Sequence, residues 1–323
     1  MAVAARVKPR DFFTDEEWAP LAARSSWMGI WLIVHAWLTI VAAGALFVIW
    51  PNPLTLVLAV MIIGCRQLGL AILMHDGAHG CLHPNQKVND WIGHWLAGAP
   101  TNGDLQRYRD YHLQHHKFAQ QEEDPDLGLS APFPITRQSL WRKAVRDLTG
   151  QTFYKQRIQP SIDAFRTGGK KGIPFGKTAK GVLKFWSPFL IFHIPVIVLL
   201  SAVGLWWAWP VLWLLPMATW YPLITRLRNI AEHALVGVDQ PDPLRHARTT
   251  LAGPIARLLM APYYVNYHCE HHMFMHVPCW NLPKVHRLLK QKGVMDRMLT
   301  APGYVTVLKL ASSKGDYLTV PSV

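Results

Sequence analysis

The sequence predicts an all-α integral membrane protein, with four transmembrane helices in two hairpins and a helical cytoplasmic cap that gathers histidines. Hydrophobic residues make up 50% of the 323 residues, and charged residues make up only 16%, which is low for a soluble protein. Four apolar stretches approach the roughly 20 residues that cross a bilayer. Histidine clusters follow the two pairs of stretches and recur farther along the chain.

The four predicted transmembrane helices contain almost no charge. They cover approximately residues 27–50, 53–74, 185–209 and 210–226. Among them, the first three stretches contain a single basic residue, Arg66, and no acidic one. The turns within each pair are short and rich in Trp and Pro, as expected where a helix breaks at the membrane interface. The last stretch is short and must begin close to that interface.

The distribution of basic residues predicts the topology. Of 33 Lys and Arg residues, only Arg66 lies within a hairpin, so the positive-inside rule places the remaining segments in the cytoplasm. We therefore expect a multi-pass protein with both termini cytoplasmic, a single domain over residues 1–323, and a cap made of residues 76–183 and 226–323. Topology also accounts for the net charge of +13, and we expect no nucleic-acid partner because no basic stripe with interleaved aromatic residues occurs.

The cysteines and the first residues predict an intracellular redox environment. Cys65, Cys81, Cys269 and Cys279 show no paired spacing, so free thiols are expected. The N-terminal segment has no apolar core ahead of a small-residue cleavage site, so no cleaved signal peptide is expected.

Four polar clusters lie just beyond the apolar stretches or in the cap, and each contains histidine. They are "HDGAH" from His75, "HLQHH" from His112, "RNIAEH" from Arg228 and "HCEHH" from His268. Residues three or four apart share a face of a helix, so each cluster can direct its imidazoles to one point. One pair at this spacing is usually only an exposed helix face. Two copies of HxxHH are harder to explain by packing, since burying imidazoles without partners is unfavourable.

The number of candidate ligands favours two metal ions. Nine histidines exceed the four ligands of one tetrahedral zinc, whereas two ions with four or five nitrogens each would use them all. Neutral imidazole suits iron, zinc, copper and nickel, so ligand type alone leaves the metal open. A binuclear site beside lipid favours iron and the activation of oxygen.

The order of these clusters and their position after paired membrane helices resemble the membrane-bound fatty acid desaturase and hydroxylase superfamily. Members of that superfamily hold two irons with histidine boxes, and the resemblance covers about residues 27–289. It implies three boxes of ligands, which are His75 and His79, then His112, His115 and His116, then His268, His271 and His272. It also implies that His233 is a further ligand and that Asn229 reaches iron through a water molecule.

Three carboxylates adjoin these histidines and are candidates for the layer of residues around the ligands. Asp76, Glu232 and Glu270 each neighbour a predicted ligand in sequence. Carboxylates in such positions commonly accept the second ring N–H of a metal-bound imidazole. Other histidines, such as His83 and His94, have less support as ligands.

The resemblance implies an oxidoreductase that uses two irons and O2 to oxidise a lipid hydrocarbon chain, by default in fatty acyl desaturation. Hydroxylation or ketolation of a lipid or carotenoid, and oxidative decarboxylation of a fatty acid to a terminal alkene, are the alternatives. A histidine-rich membrane metal transporter is the non-enzyme alternative, but it would need ionisable residues within its spans. The sequence leaves open the chain length, the headgroup, the double-bond position and the oligomeric state.

Electrons are expected from a separate donor, such as a ferredoxin or a haem protein with its reductase. The sequence shows no CxxC cluster and no GxGxxG dinucleotide motif. A basic surface that includes Arg137, Arg142, Lys143 and Arg146 suits an acidic donor, and it suits anionic headgroups equally well.

Overall fold

Helices make up most of the structure, a computed structural model that describes residues 6–314. The α-helices are α1 Asp15–Ala22, α2 Met28–Ile49, α3 Pro53–Ala78, α4 Gln86–Trp91, α5 Leu105–Lys117, α6 Leu127–Ser130, α7 Arg137–Leu148, α8 Gln151–Phe153, α9 Gln159–Lys170, α10 Phe175–Ala202, α11 Leu215–Ala218, α12 Trp220–His233, α13 Pro254–Leu259, α14 His268–Met273, α15 Leu282–Gln291 and α16 Tyr304–Ala311. Two three-residue strands, β1 Arg248–Thr250 and β2 Leu299–Ala301, pair in parallel. Both chain ends, which were predicted to be cytoplasmic, lie outside the described residues.

Short π-helical and 3₁₀-helical segments connect several of these helices. The π-helical segments are Ile92–Gly98, Tyr154–Ile158 and Pro210–Leu214, and the 3₁₀ segments are Pro9–Asp11, Ala99–Thr101, Pro243–Arg245 and Cys279–Asn281.

Within residues 6–314, three helices are long and apolar enough to cross a bilayer, namely α2, α3 and α10. They indicate a membrane protein, in agreement with the sequence. The start of α3 is well determined locally, because the side chain of Asn52 accepts hydrogen bonds from the backbone N–H groups of Leu54 and Thr55 at 3.0 and 3.1 Å. Pro53 occupies the first helical position, where its fixed φ and missing N–H are harmless.

The third long helix lies earlier in the chain than the sequence predicts. A span over residues 185–209 was expected, but α10 begins at Phe175 and ends at Ala202. The end is set by Gly204, which has a φ of 78°, and by a hydrogen bond from the Leu205 N–H to the Leu200 carbonyl at 2.8 Å. A glycine in the left-handed region with this bond is a common way to stop a helix.

The fourth predicted span, residues 210–226, is not one continuous helix. The chain passes through the π-helical turn Pro210–Leu214 and then through α11 and α12. Pro210, Pro216 and Pro222 fall at or near the starts of these three pieces, and proline removes a backbone donor and clashes with the preceding turn. A fourth transmembrane helix, and the arrangement in two hairpins, stay predictions.

The centre of the core is α3. It packs along α2 and also contacts α5, α12 and α13, so most of its second half is buried. Ile63, Leu68 and Leu73 are almost completely buried there. Close packing of these side chains fixes the histidine-bearing end of α3 against the rest of the protein.

Arg66 has the partners that a cation within an apolar helix requires. Its Nη2 donates to the carbonyls of Arg257 and Leu258 at 2.9 and 3.1 Å. These carbonyls belong to the last turn of α13, where the helix dipole favours a positive charge. Arg66 therefore attaches the C-terminal part of the chain to α3.

The two segments predicted to form the cap pack against each other. The fully buried carboxylate of Asp147 accepts hydrogen bonds from Nε and Nη2 of Arg226 at 2.6 and 2.9 Å. The backbone N–H of Cys279 donates to Asp76 at 2.9 Å. All four cysteines are buried free thiols, as expected. The cytoplasmic side of this assembly stays a prediction.

Candidate metal centre

Four helices bring the histidine clusters to one place. His75 lies in the last turn of α3 and His79 caps that helix, while α5 carries the second cluster near its end. His233 is the last residue of α12, and α14 begins with His268. In α3, α5 and α14 the spacing of three or four residues puts the rings of each cluster on one side of the helix, and α12 contributes His233 alone.

The first group of ligand atoms comes from five histidines. They are His75, His79, His112, His116 and His271, and one ring nitrogen from each lies within 4.8 Å of the others. Nε2 of His116 is 3.0 Å from Nε2 of His112 and 3.0 Å from Nε2 of His271. Such spacings suit nitrogens that bind one ion at about 2.0–2.1 Å.

The second group lies beside the first and also consists mainly of histidine ring nitrogens. Ring nitrogens of His115, His233 and His272 lie within 4.8 Å of one another, and His233 also groups with His268 and the carboxylate of Glu232. Nε2 of His233 is 2.8 Å from Nε2 of His268. The nine histidines selected from the sequence thus all join one of the two groups.

Adjacent histidines in each HxxHH cluster point to different groups. On α5, His112 and His116 contribute to the first group and His115 to the second. On α14 the pattern is reversed, with His271 in the first group. Each HxxHH helix therefore gives an i,i+4 pair to one group and a single histidine to the other, which explains why that spacing occurs twice.

The protonation state of these imidazoles suits metal binding. Burial, together with the neighbouring imidazoles, lowers the pKa of His112, His116, His268, His271 and His272 well below the ordinary value. The rings are therefore neutral near pH 7, and the neutral imidazole is the form that coordinates a metal.

Several ring nitrogens have no hydrogen-bond partner in the described part of the chain. Both ring nitrogens of His79 and Nε2 of His75 are buried there without such a partner. An unsatisfied buried polar group costs about 1–3 kcal/mol. Moreover, Nε2 of His116 faces two other Nε2 atoms, and a neutral ring cannot satisfy both with one proton. A bound cation would satisfy one nitrogen of each of these rings, so the residues fit a metal centre.

A carboxylate that the sequence did not single out orients one histidine. Oδ1 of Asp124 is 2.7 Å from Nδ1 of His115, while Nε2 of the same ring faces His272 at 3.3 Å. Asp124 itself is held by the backbone N–H groups of Gln120 and Asp126. Its position in the acidic loop after the second cluster was the available signal, but a solvated loop has the same composition.

The three predicted carboxylates have different surroundings. Asp76 lies 3.7 Å from Nδ1 of His75. Glu232 is fully buried, and burial raises its pKa to about 7. Glu270 contacts Nδ1 of His286 at 2.5 Å and accepts a hydrogen bond from Thr249. Asn229 lies one turn before His233 on α12 and is half-buried, and its link to a metal through water stays a prediction.

Histidines outside the two groups have structural partners. His193 contacts the carbonyl of Pro100 at 2.9 Å and accepts from the indole of Trp209 at 3.1 Å. His35 lies 3.0 Å from the hydroxyl of Tyr263. Each of these two rings therefore has a partner within the fold and away from the two groups.

A cavity of about 700 Å³ reaches both histidine groups. His75 of the first group and His268 of the second group line it, and Tyr108, which stacks on the ring of His112, lines it as well. The apolar part of its wall comes from Leu68, Ala71, Ile72, Met74, Trp95, Phe185, Pro188 and Val265. The charged residues of the wall are Arg107, Arg157, Lys184, Arg228 and Asp104, of which Arg107 and Lys184 are exposed to solvent.

The fold and site define a helical membrane protein with a buried, histidine-rich site that could bind metal. Residues 49–300 match the fatty acid desaturase family, and the chain belongs to that family, within the superfamily that the sequence resembles.

Curated relatives resemble this chain at low sequence identity. A beta-carotene ketolase of Paracoccus sp. (strain PC1) is 26% identical over 264 residues, which are 80% of this chain and 88% of the relative. A dihydrorhizobitoxine desaturase of Bradyrhizobium elkanii is 26% identical over 270 residues, covering 80% and 71%. By name, one of these relatives is a ketolase and the other a desaturase, and with the family match they support an enzyme of this superfamily.

Proposed function

We propose that this protein is an O2-dependent oxidase of lipid hydrocarbon chains, and that its reaction is fatty acyl desaturation. The nine histidines of the two groups would hold two irons, with Asn229 contributing through water. The irons, when bound, would supply the oxidising power needed to remove hydrogen from an unactivated C–H bond. The protein residues would bind the chain, orient it and exclude water.

The observation that carries this proposal is the cavity, because it is apolar along much of its wall and is lined by one histidine from each group. A hydrocarbon chain in this cavity would place a few carbons next to both groups. Holding reacting groups in this way supplies much of the acceleration in enzymes. The apolar wall would also keep water away from the oxidant.

The cations that line the same cavity favour an acyl substrate. Arg107, Arg157 and Lys184 suit an anionic end group such as a carboxylate or phosphate. His268 on the cavity wall is buried, whereas Arg107 and Lys184 are exposed, so the charged end would face solvent and the tail would run inward. A carotene, which is a pure hydrocarbon, offers nothing to these cations.

Ketolation or hydroxylation is the second candidate, since a beta-carotene ketolase is among the relatives. Formation of a terminal alkene from a fatty acid is a third outcome on the same scaffold. A small change in the position of the chain relative to the oxidant decides between these outcomes.

A separate electron donor is part of the proposal. Arg137, Arg142 and Arg146 are exposed on α7, and they would suit an acidic ferredoxin or haem protein.

The test is to express the chain in a bacterial host and to compare the total lipids with those of a His271→Ala strain by mass spectrometry. We expect acyl species two mass units lighter only with the intact chain. His83→Ala is the matched control, because that ring lies outside both groups, and it should leave the new species in place.

The other outcomes separate the candidates. Species sixteen units heavier would indicate hydroxylation, and fourteen units heavier would indicate ketolation. Loss of the carboxyl carbon would indicate alkene formation. Identical lipids in all strains, with iron present in the purified protein and a competent donor supplied, would contradict the proposed function.

A further inference from the structure

We propose that Glu232 is a direct carboxylate ligand of the second metal position, so that this position is not built from imidazoles alone. The inference rests on the proposed function, because it assumes that the second histidine group holds an ion. It assigns Glu232 a role different from that expected of a carboxylate that orients a ligand.

The argument depends on which ring nitrogen of a histidine each carboxylate contacts. A carboxylate that orients a metal-bound histidine contacts the nitrogen opposite the metal. Asp124 does so, since it contacts Nδ1 of His115 while Nε2 of that ring faces the group. Oε2 of Glu232 instead lies 3.5 Å from Nε2 of His268. That same Nε2 is 2.8 Å from Nε2 of His233, so Glu232 lies where the ligand nitrogens converge.

The distances suit a shared ion. Two donors that each bind one ion at about 2.0–2.2 Å lie about 3 Å apart when they are at right angles, and no farther than about 4.4 Å when they are opposite. Nε2 of His268 lies 2.8 Å from Nε2 of His233 and 3.5 Å from Oε2 of Glu232. Both distances fall within or close to this range. A ligand oxygen of Glu232 and ring nitrogens of His233 and His268 also lie within 4.8 Å of one another.

Glu232 also has a free oxygen for this role. The side chain is 1% exposed, and Oε1 is buried without a hydrogen-bond partner among residues 6–314. Oε2 accepts from Nε of Arg228 at 2.6 Å. Oε2, the oxygen that lies 3.5 Å from Nε2 of His268, is therefore held by a cation on the same helix, and Oε1 of the same carboxylate is the oxygen available to a metal.

Two glutamates in equivalent sequence positions behave differently. Glu232 precedes His233, and Glu270 precedes His271. Both oxygens of Glu270 are occupied, one by His286 and the other by Thr249. Only Glu232 of these two has a buried oxygen left over, which makes Glu270 a matched control.

A carboxylate ligand would make the two metal positions different. The second group would have five donors, as the first has, but one of them would be an anionic oxygen. Carboxylate oxygen is a harder ligand than imidazole, so the two irons would differ in their surroundings and in charge.

The experiment measures iron content and the ⁵⁷Fe Mössbauer spectrum of the detergent-purified full chain. In the intact protein we expect two irons with two distinct quadrupole doublets. Glu232→Gln should lose about half of the iron or alter one doublet only, since a ligand change weakens metal binding by at least about tenfold. Glu270→Gln should retain both irons and both doublets.

Two further variants protect the test against a folding failure. Arg228→Gln/Glu232→Gln removes the buried ion pair as a unit and should show the same loss or altered doublet. Arg228→Gln keeps the carboxylate and should retain both irons.

The inference is overturned if the intact protein holds two irons and Glu232→Gln, or the double variant, keeps both with unchanged doublets. That result would leave the proposed function standing. An intact protein that binds no iron after reconstitution would overturn the proposed function itself, and the ligand assignment with it.

Discussion

Nε2 of His116 lies 3.0 Å from Nε2 of His271, although 155 residues separate them in the chain. The neighbour of each, His115 or His272, belongs to the second group, and those two rings also meet through Nε2, at 3.3 Å. The two HxxHH helices, α5 and α14, therefore contact each other through both groups at once. A displacement of either helix would disturb both metal positions together.

Asp124→Asn should weaken the centre without removing a ligand. The amide can no longer accept as strongly from Nδ1 of His115, and changes of this kind typically lower metal affinity or activity about 10–100-fold. Iron retention during dialysis against a chelator measures the effect. Glu122→Gln, an exposed change in the same loop, is the control. Equal iron retention in the two variants would mean that Asp124 does not orient His115.

Ala71→Phe should shorten the acyl chains that the enzyme accepts. Ala71 lines the cavity of about 700 Å³, and a phenyl ring there removes space from the hydrocarbon path. Lipid profiles of strains fed fatty acids of different lengths check this. Ala42→Phe, on an exposed face of α2, should leave the profile unchanged. If Ala71→Phe also left it unchanged, the chain would have to bind elsewhere.

Neutralising the cations of the cavity should weaken binding of anionic substrates selectively. Arg157→Gln or Lys184→Gln removes a charged hydrogen-bond donor, and we expect an affinity about three- to tenfold lower for a fatty acid carboxylate. Affinity for the methyl ester should change little, and added salt should reduce the difference. Calorimetry in detergent measures both ligands.

Lys180→Gln, on the exposed surface of α10 and outside the cavity lining, is the control for that series. Equal losses for the acid and its ester would show that the cations support the structure and do not recognise charge.

Gly29→Ala should destabilise the fold. A Cβ at Gly29 would lie 2.2 Å from the carbonyl oxygen of Leu82, and overpacking of this kind costs about 1–3 kcal/mol. Gly44→Ala on the same helix meets only a side-chain carbon of Leu212 at 3.5 Å, so it should be neutral or slightly stabilising. Thermal unfolding followed by tryptophan fluorescence in detergent compares them, and equal midpoints would contradict the close contact.

The sequence was a sufficient guide to the histidines because the signal is local. Residues three or four apart share a helix face, so the spacing alone predicts that the histidines of each HxxHH cluster lie close together. Which group each histidine joins depends on how α5 and α14 pack, and no local pattern encodes that packing.

Other features could not be read from the sequence for physical reasons. The segment after Pro210 is apolar along its whole length, and hydropathy does not register that three prolines divide it. Glu232 and Glu270 occupy the same position relative to a histidine, yet they differ in which partners fill their oxygens. Asp124 reaches His115 only because the loop between them turns back, which composition does not reveal.

The length of α3 has a consequence for how a substrate arrives. Its 26 residues extend about 39 Å, whereas the hydrocarbon layer is about 30 Å thick, so with Pro53 at one edge of that layer we expect His75 at or just beyond the other edge. We therefore expect a lipid to move partly toward the headgroup region before its carbons reach the histidines. Turnover should then follow how readily the membrane releases a lipid, and it should be faster in fluid bilayers than in gel-phase ones.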